Sequence, residues 1–250
     1  MPLRNYQSYK NDGKTVMLAS GEATSVRLLT KADRIGFSLS IVTLNKSLAF
    51  DLWYKNHWET NYIVSGSGEL TDKENGQCWG LTDGTIYCVG PRDRHQLKAN
   101  TNLKIVSIFC PAVYGNEVHD EDGSYPKTGD IPIGPKKMFV RTRIKTHGNS
   151  EETTSPPNQL LIFPLVGKED HLSILLKKLL LPAGEKIVVN DKSPNVAIYI
   201  LVGEGILKIP HTKQEYTLLP GILWHTTDGE QYTITAKTPL TYLAILNAQP

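Results

Sequence analysis

A repeat constrains this chain more than any other feature. Shifted by 137 positions, residues 52–110 fall on residues 189–247 without a gap, and 13 of the 59 aligned pairs are identical. The identities are structural in kind. Glycines recur at turns (Gly66 with Gly203, Gly68 with Gly205, Gly84 with Gly221), and Tyr62, Ile63, Leu70, Leu103 and Ile108 recur as Tyr199, Ile200, Leu207, Leu240 and Ile245. Turn glycines and strand apolars in fixed order are what two copies of one β-domain share. With 250 residues, the chain has material for two modest cores.

Runs rich in Val, Ile, Tyr and Phe at 61–64, 85–89, 103–109, 197–202 and 241–246 are separated by Gly, Asn and Asp. That punctuation predicts antiparallel strands in a sandwich or barrel, and helical signals are few and brief. Residues 127–157 hold Pro, Gly, Ser, Thr and Glu in loose order, most plainly Asn149-Ser150-Glu151-Glu152-Thr153-Thr154-Ser155-Pro156-Pro157. The expected organisation is a first domain over 1–126, a connecting segment over 127–157 and a second domain over 158–250. The expected fold class is all-β, two antiparallel β-barrel or jelly-roll domains related by internal duplication.

Charge excludes some partners. Lys and Arg number 27 against 25 Asp and Glu, a net of +2, so nothing draws the chain to nucleic acid or an acidic membrane. The run Pro135-Lys136-Lys137 with Arg141, Arg143 and Lys145 reads as the polar face of a strand rather than a phosphate-binding patch. No segment approaches the ~20 apolar residues of a membrane span, and the N-terminus carries no signal-peptide pattern. Three cysteines, without paired metal spacing, argue against a disulfide framework and for a reducing cytoplasm, with Cys88 and Cys110 as small buried apolar residues. Gly66-Ser67-Gly68 and Gly203-Glu204-Gly205 are hairpin turns without the third glycine and helix of a nucleotide loop. Asp120-Glu121-Asp122 lacks the alternate spacing of a calcium loop.

Chemistry is confined to the first copy. Six residues separate Glu59 from Gly66, and His95 lies eleven positions after Gly84. These intervals resemble those of the cupins, whose first motif supplies two His and a Glu and whose second supplies a His. The paired histidines are absent, and Trp53, Tyr54 and Lys55 occupy their neighbourhood. In the second copy Glu59 becomes Val196, Tyr87 becomes Trp224 and His95 becomes Tyr232. Valine and tryptophan offer nothing to a divalent ion, and His225 alone reads as a hydrogen-bonded or surface residue. The second barrel is therefore expected to pack as a fused replacement for a second subunit.

Residues 27–126 resemble ectoine synthase. The likeness is carried by Arg27-Leu28-Leu29, Gly36-Phe37-Ser38, Trp53-Tyr54-Lys55-Asn56-His57, Gly66-Ser67-Gly68-Glu69, Asp93-Arg94-His95 and, above all, Glu117-Val118-His119-Asp120-Glu121-Asp122-Gly123-Ser124-Tyr125. The resemblance implies a bicupin whose first domain is a metal-dependent cyclase, condensing an amine with an amide carbonyl of one diaminobutyrate derivative and releasing water. It implies Fe(II), with Zn or another divalent metal as alternatives, held by Glu59, Tyr87 and His95. It implies substrate binding by Arg27, Ser40, Tyr54, Phe109, Glu117 and His119, with Tyr54, Glu117 and His119 in catalytic roles. Arg27 would pair with a substrate carboxylate in bidentate fashion. Glu117 and His119, two apart, would share one side of an extended strand and hold or deprotonate the substrate amine.

Three departures from that family bear on substrate: its tryptophan is Ala23 here, its usual Asn is Ser40, and a threonine is Val42. They lead to the expectation of a larger or differently decorated substrate than the ectoine precursor. Two other readings stay open on sequence alone, an Fe(II)-dependent oxygenase acting on an amino-acid-derived metabolite and a non-catalytic small-molecule-binding bicupin. The partner expected in every case is a small amino acid derivative, with the chain a monomer of pseudo-dimeric barrels or a homodimer.

Overall fold

The computed structural model describes residues 3–13, 15–18, 22–141, 159–189, 195–227, 229 and 231–248. Strand-forming runs between turn glycines produce a first series of strands: β1 (Leu3–Asn5), β2 (Thr15–Leu18), β3 (Ala23–Leu29), β4 (Ser38–Leu44), β5 (Ala49–Leu52), β6 (Trp58–Ser65), β7 (Gly68–Asp72), β8 (Cys78–Leu81), β9 (Ile86–Val89), β10 (His95–Ala99) and β11 (Leu103–Cys110). A short β12 (Phe139–Arg141) follows. The second series is β13 (Leu161–Val166), β14 (Ile174–Leu181), β15 (Lys186–Val189), β16 (Val196–Val202), β17 (Gly205–Ile209), β18 (Gln214–Leu218), β19 (Ile222–Thr226), β20 (Tyr232–Ala236) and β21 (Leu240–Asn247). One six-residue helix, α1 (Tyr6–Asn11), and two single 3-10 turns complete the described elements.

The 137-residue offset, visible in sequence over 52–110, extends in the structure from β3 to β11, each matching one of β13 to β21 to within a residue. Each barrel pairs a large sheet with a four-stranded one. The first has the order β12-β9-β6-β11-β4-β3-β2 with β5-β10-β7-β8, and the second β1-β19-β16-β21-β14-β13 with β15-β20-β17-β18. Every pairing is antiparallel, as the sequence leads one to expect. Equivalent positions are buried in each core: Ile63, Leu70, Leu81 and Leu97 in the first, and Ile200, Leu207, Leu218 and Ile234 in the second.

The edge strands divide the chain in a way the sequence does not announce. By the repeat, β1 opens the first half and β12 opens the second. Yet β1 pairs with β19, and β12 pairs with β9, the counterpart of β19. The register is the same in both: Leu3 faces Trp224 as Val140 faces Tyr87, and Arg4 faces Leu223 as Arg141 faces Ile86. Each large sheet thus ends on the leading strand of the other half, a three-residue edge that offers little backbone to pair with. Accordingly, one compact unit contains the described residues of 1–7, 144–169 and 174–250, and the other those of 8–143 and 170–173. Arg141 anchors the latter piece, its guanidinium donating to both carboxylate oxygens of buried Asp170, one at 2.9 Å. Residues 139–141, read from sequence as part of the connection, are therefore a strand. Arg143, Lys145 and the Asn149-to-Pro157 run lie outside the described residues.

The hairpin glycines show why the repeat kept them. Gly66 has φ +92° and Gly203 φ +90°, and a Cβ would sit 2.1 Å from the carbonyl oxygen of Asn102 in the first barrel and of Pro239 in the second. Gly76, at φ +75°, has open space around it. Replacing Gly66 or Gly203 by Ala is expected to cost about 1–3 kcal/mol in urea unfolding, clearly more than Gly76→Ala. Equal losses at Gly66 and Gly76 would contradict the close approach.

Candidate active site

The first barrel is hollow and polar at one end. Alternation along each strand sends every second residue inward, and cross-strand register stacks those residues in tiers. One tier runs Ser38, Phe109, Glu59, Val89 across β4, β11, β6 and β9. The next runs Arg27, Ser40, Ser107, Asn61, Tyr87 from β3 to β9. A carboxyl-bearing residue, a guanidinium-bearing residue, three serines and an asparagine thus meet inside a β-barrel, where apolar residues ordinarily belong. Arg27, Glu59, Asn61, Tyr87, Ser107 and Phe109 among them line a cavity of ≈ 480 Å³, a volume that takes in open solvent at its mouth.

Burial forces these groups to satisfy one another. Arg27, 6% exposed, donates from Nη1 to Ser40 Oγ at 3.2 Å and from Nη2 to the Tyr125 hydroxyl at 2.8 Å. Its Nε has no protein partner. Ser107 Oγ donates to Glu59 Oε1 at 2.8 Å. Burial pushes the Glu59 carboxyl up to about 7, although the Ser107 bond and the Arg27 charge pull it back. Burial also raises the Tyr54 and Tyr87 phenols, with the Glu59 charge adding to both. Tyr54 is therefore a phenol at neutral pH, and its hydroxyl lies 3.1 Å from His119 Nε2. Tyr125 stacks on His119 with ring centroids 4.6 Å apart and planes at 17°, while Phe109 meets Tyr54 edge-on at 5.0 Å.

His119 is held neutral. Burial first, and the Arg27 charge second, lower it from 6.5 to about 4. Its ring is thus unprotonated across the neutral range.

The three residues implied as metal ligands occupy inward positions. Glu59 and Tyr87 line the cavity, and His95, 1% exposed on β10, sits with its ring centroid 6.2 Å from that of Tyr54. His95 Nδ1 lies 3.0 Å from the Asp93 carbonyl oxygen. A carbonyl only accepts, so Nδ1 carries the proton and Nε2 presents a lone pair. That Nε2 is buried without a hydrogen-bond partner. A lone pair fixed by a carbonyl on the opposite nitrogen is how a metal-ligating histidine is oriented. Glu59 and Tyr87 add a buried carboxyl group and a phenol on the cavity wall, and these donor types together with an imidazole lone pair fit a divalent cation. Among the described residues no three His, Cys, Asp or Glu cluster as ligands.

Glu117 departs from expectation. Residues 111–138 form no strand, so Glu117 and His119 do not share a strand face. The Glu117 carboxylate accepts from the backbone N–H groups of Tyr114 and Gly115, the latter at 2.7 Å, and is absent from the cavity lining. It shapes the loop that carries His119. Arg27, Ser40, Tyr54, Phe109, Glu59, Tyr87, His95 and His119 are brought together; Ser40 acts through Arg27. Tyr125, Ser107 and Asn61 were not singled out from sequence. Ser107 and Asn61 follow from alternation, standing two residues from Phe109 and Glu59 on the same faces, whereas Tyr125 lay in the quoted motif.

The second barrel fills the corresponding space. Trp224 is fully buried with its ring centroid 4.9 Å from that of Tyr232, and Val196 and Ile198 replace Glu59 and Asn61. Cys88 and Cys110 are buried free thiols and Cys78 is exposed. No helix of the described residues is long and apolar enough to cross a membrane.

Two jelly-roll barrels in one chain, one of them with a polar cavity, define a bicupin. Solved structures agree on the fold: oxalate decarboxylase of Bacillus subtilis superposes with TM-score 0.70 at 12% identity, covering 99% of this chain and 77% of that one. A cupin 2 conserved barrel domain protein from Leptotrichia buccalis gives 0.60 at 14% identity, covering 98% and 95%. The family is narrower than the fold. The ectoine synthase family model matches residues 1–129, and the chain belongs to that family. L-ectoine synthase of Oceanobacillus iheyensis is 41% identical over 102 residues, 41% of this chain and 80% of the relative. That of Streptomyces anulatus is 35% identical over 126 residues, covering 50% and 96%.

His119 gives a test of the buried site. Because its folded value is depressed, the unfolded chain takes up the proton first as pH falls from 6.5. Its contribution to stability is complete above that pH and is lost as pH falls towards 4. His119→Gln should flatten the fall in urea midpoint between pH 7 and pH 4.5; an unchanged slope would contradict burial of a neutral ring.

Proposed function

We propose that the first barrel catalyses ring closure by intramolecular condensation of an amine with an amide carbonyl of an N-acylated diamino acid, with loss of water. The observation that supports this reading is that Arg27, the Tyr54–His119 pair, Glu59 and Tyr87 line one buried cavity, with the unpartnered His95 Nε2 on the ring beside Tyr54. The sequence relatives named L-ectoine synthase support a cyclising dehydratase.

Arg27 binds the substrate carboxylate. Its guanidinium is already oriented by Ser40 and Tyr125, so little side-chain freedom is lost on binding. Neutral His119 takes a proton from the substrate amine as its nitrogen attacks the amide carbon, and the Tyr54 hydroxyl at Nε2 is placed to pass protons onward. The amine nitrogen becomes doubly bonded to the former carbonyl carbon, the C=O bond is lost, and the oxygen leaves with two N–H protons as water. Glu59, Tyr87 and His95 would hold a divalent ion, Fe(II) or Zn(II) among them, and such an ion polarises the amide carbonyl as a Lewis acid. The aromatic enclosure of Tyr54, Phe109 and Tyr125 excludes bulk water, which favours departure of the product water over its return.

The test is dehydration of N-acetylated diaminobutyrate by anaerobically purified protein, followed by mass spectrometry for loss of water. Wild type should turn over, while Glu59→Ala, His95→Ala and His119→Gln should each lose at least about 100-fold in kcat/KM. Oxygen uptake with no dehydration would sink the cyclase reading.

A further inference from the structure

The tiers beyond the polar pair are apolar, and they belong to the same cavity. One step along the strands from Arg27 and Ser40 come Ser25, Val42 and Ile105, and one step further come Ala23 and Leu44, with Leu18 opposite Ala23. On the facing sheet His95 lies opposite Leu52, and Leu97, two residues on, lies opposite Phe50. Leu18, Val42, Leu44, Phe50, Leu97 and Ile105 all line the cavity. Each two-residue step spans roughly 7 Å, so the apolar stretch continues for about 13 Å past the Arg27 tier. Among the lining residues Leu18, Val42, Phe50 and His119 keep partial exposure, and three of these four belong to the apolar tiers. The polar groups occupy one end of the cavity, and its apolar end reaches the partly exposed side chains of Leu18, Val42 and Phe50.

The geometry points to a substrate whose acyl group is an aliphatic chain of about four to eight carbons, lying along Val42, Leu44 and Ile105 while the amino acid head is held at Arg27. This rests on the cyclase reading for the head group. An acetyl methyl reaches only ~1.5 Å beyond its carbonyl carbon and would leave the Val42 and Leu44 tiers against water, which has few hydrogen-bond partners there. A hexanoyl chain reaches about one tier further and exchanges that water for apolar contact, worth roughly fourfold in affinity for each buried methylene. Ring closure is unchanged: the C–N bond forms at the carbonyl carbon, its oxygen leaves as water, and the chain stays attached to the ring as a substituent without reacting.

The experiment uses the full-length, metal-loaded protein with acetyl, butanoyl and hexanoyl forms of the same diaminobutyrate, measuring kcat/KM for dehydration and, separately, Kd by calorimetry. The expected result is a rise of at least tenfold in kcat/KM and a matching fall in Kd from acetyl to hexanoyl. In Val42→Phe, which fills the apolar end, and in Leu18→Gln, at its partly exposed rim, the hexanoyl-to-acetyl ratio should fall towards one. Circular dichroism of both variants controls for folding, and either folded variant suffices. Turnover of the acetyl substrate with no binding of the hexanoyl one overturns the acyl-chain inference and leaves the cyclase intact. Dehydration of none of the three, with Kd still tightening along the series, overturns the cyclase and supports the occupant of the apolar end. Absence of binding by all three overturns the inference.

Discussion

A guanidinium inside a β-barrel is the constraint around which the first domain is arranged. Arg27 cannot be buried unless its N–H groups find acceptors, and the barrel supplies them from two directions: Ser40 across the β3–β4 pairing, and Tyr125 from the loop that follows β11. The second contact ties a 28-residue stretch without strands to the barrel interior. Tyr125 stacks on His119, His119 meets Tyr54, and Tyr54 packs on Phe109, so that ordering the arginine orders the whole polar end. The same charge lowers His119 and restrains the rise of Glu59. Removing the arginine would therefore do more than delete one ligand for a carboxylate; it would release the wall of the cavity.

The second barrel shows what the same fold does without that charge. At the positions of Glu59, Tyr87 and His95 it has Val196, Trp224 and Tyr232, and these close into a packed core. Its strands match those of the first barrel to within a residue, its hairpin glycines make the same close approach, and its edge is completed in the same register. Duplication preserved the backbone rules while the interior changed from a site to a filling. The exchange of β1 and β12 adds that neither large sheet is finished by its own half of the chain alone.

Much of the fold was legible in the sequence because turn glycines and strand apolars obey local rules. Gly66 and Gly203 announce hairpins through φ, and Ile63 and Ile200 announce core through alternation. The strand exchange was not legible, since three-residue strands carry no period and their pairing is decided by which edge lies open. At the site, residues on strands were placed well: once Glu59 faces inward, Asn61 must too, and Phe109 implies Ser107. Residues on the loop were placed poorly. Glu117 was expected beside His119 by strand logic, but the chain turns at Gly115, and the carboxylate is spent on two backbone N–H groups. Tyr125, 98 residues from Arg27 in sequence, meets it only through tertiary packing.

The central claim is that all divalent-cation chemistry resides in the first barrel, at Glu59, Tyr87 and His95, and none in the second. Metal stoichiometry tests it most directly: equilibrium dialysis of the full chain against Fe(II) under anaerobic conditions, with metal quantified by mass spectrometry. The account predicts one ion per chain in wild type and in Trp224→Phe, and none retained by the Glu59→Ala, His95→Ala double variant. Two ions per chain, or one that survives the double variant, would contradict it.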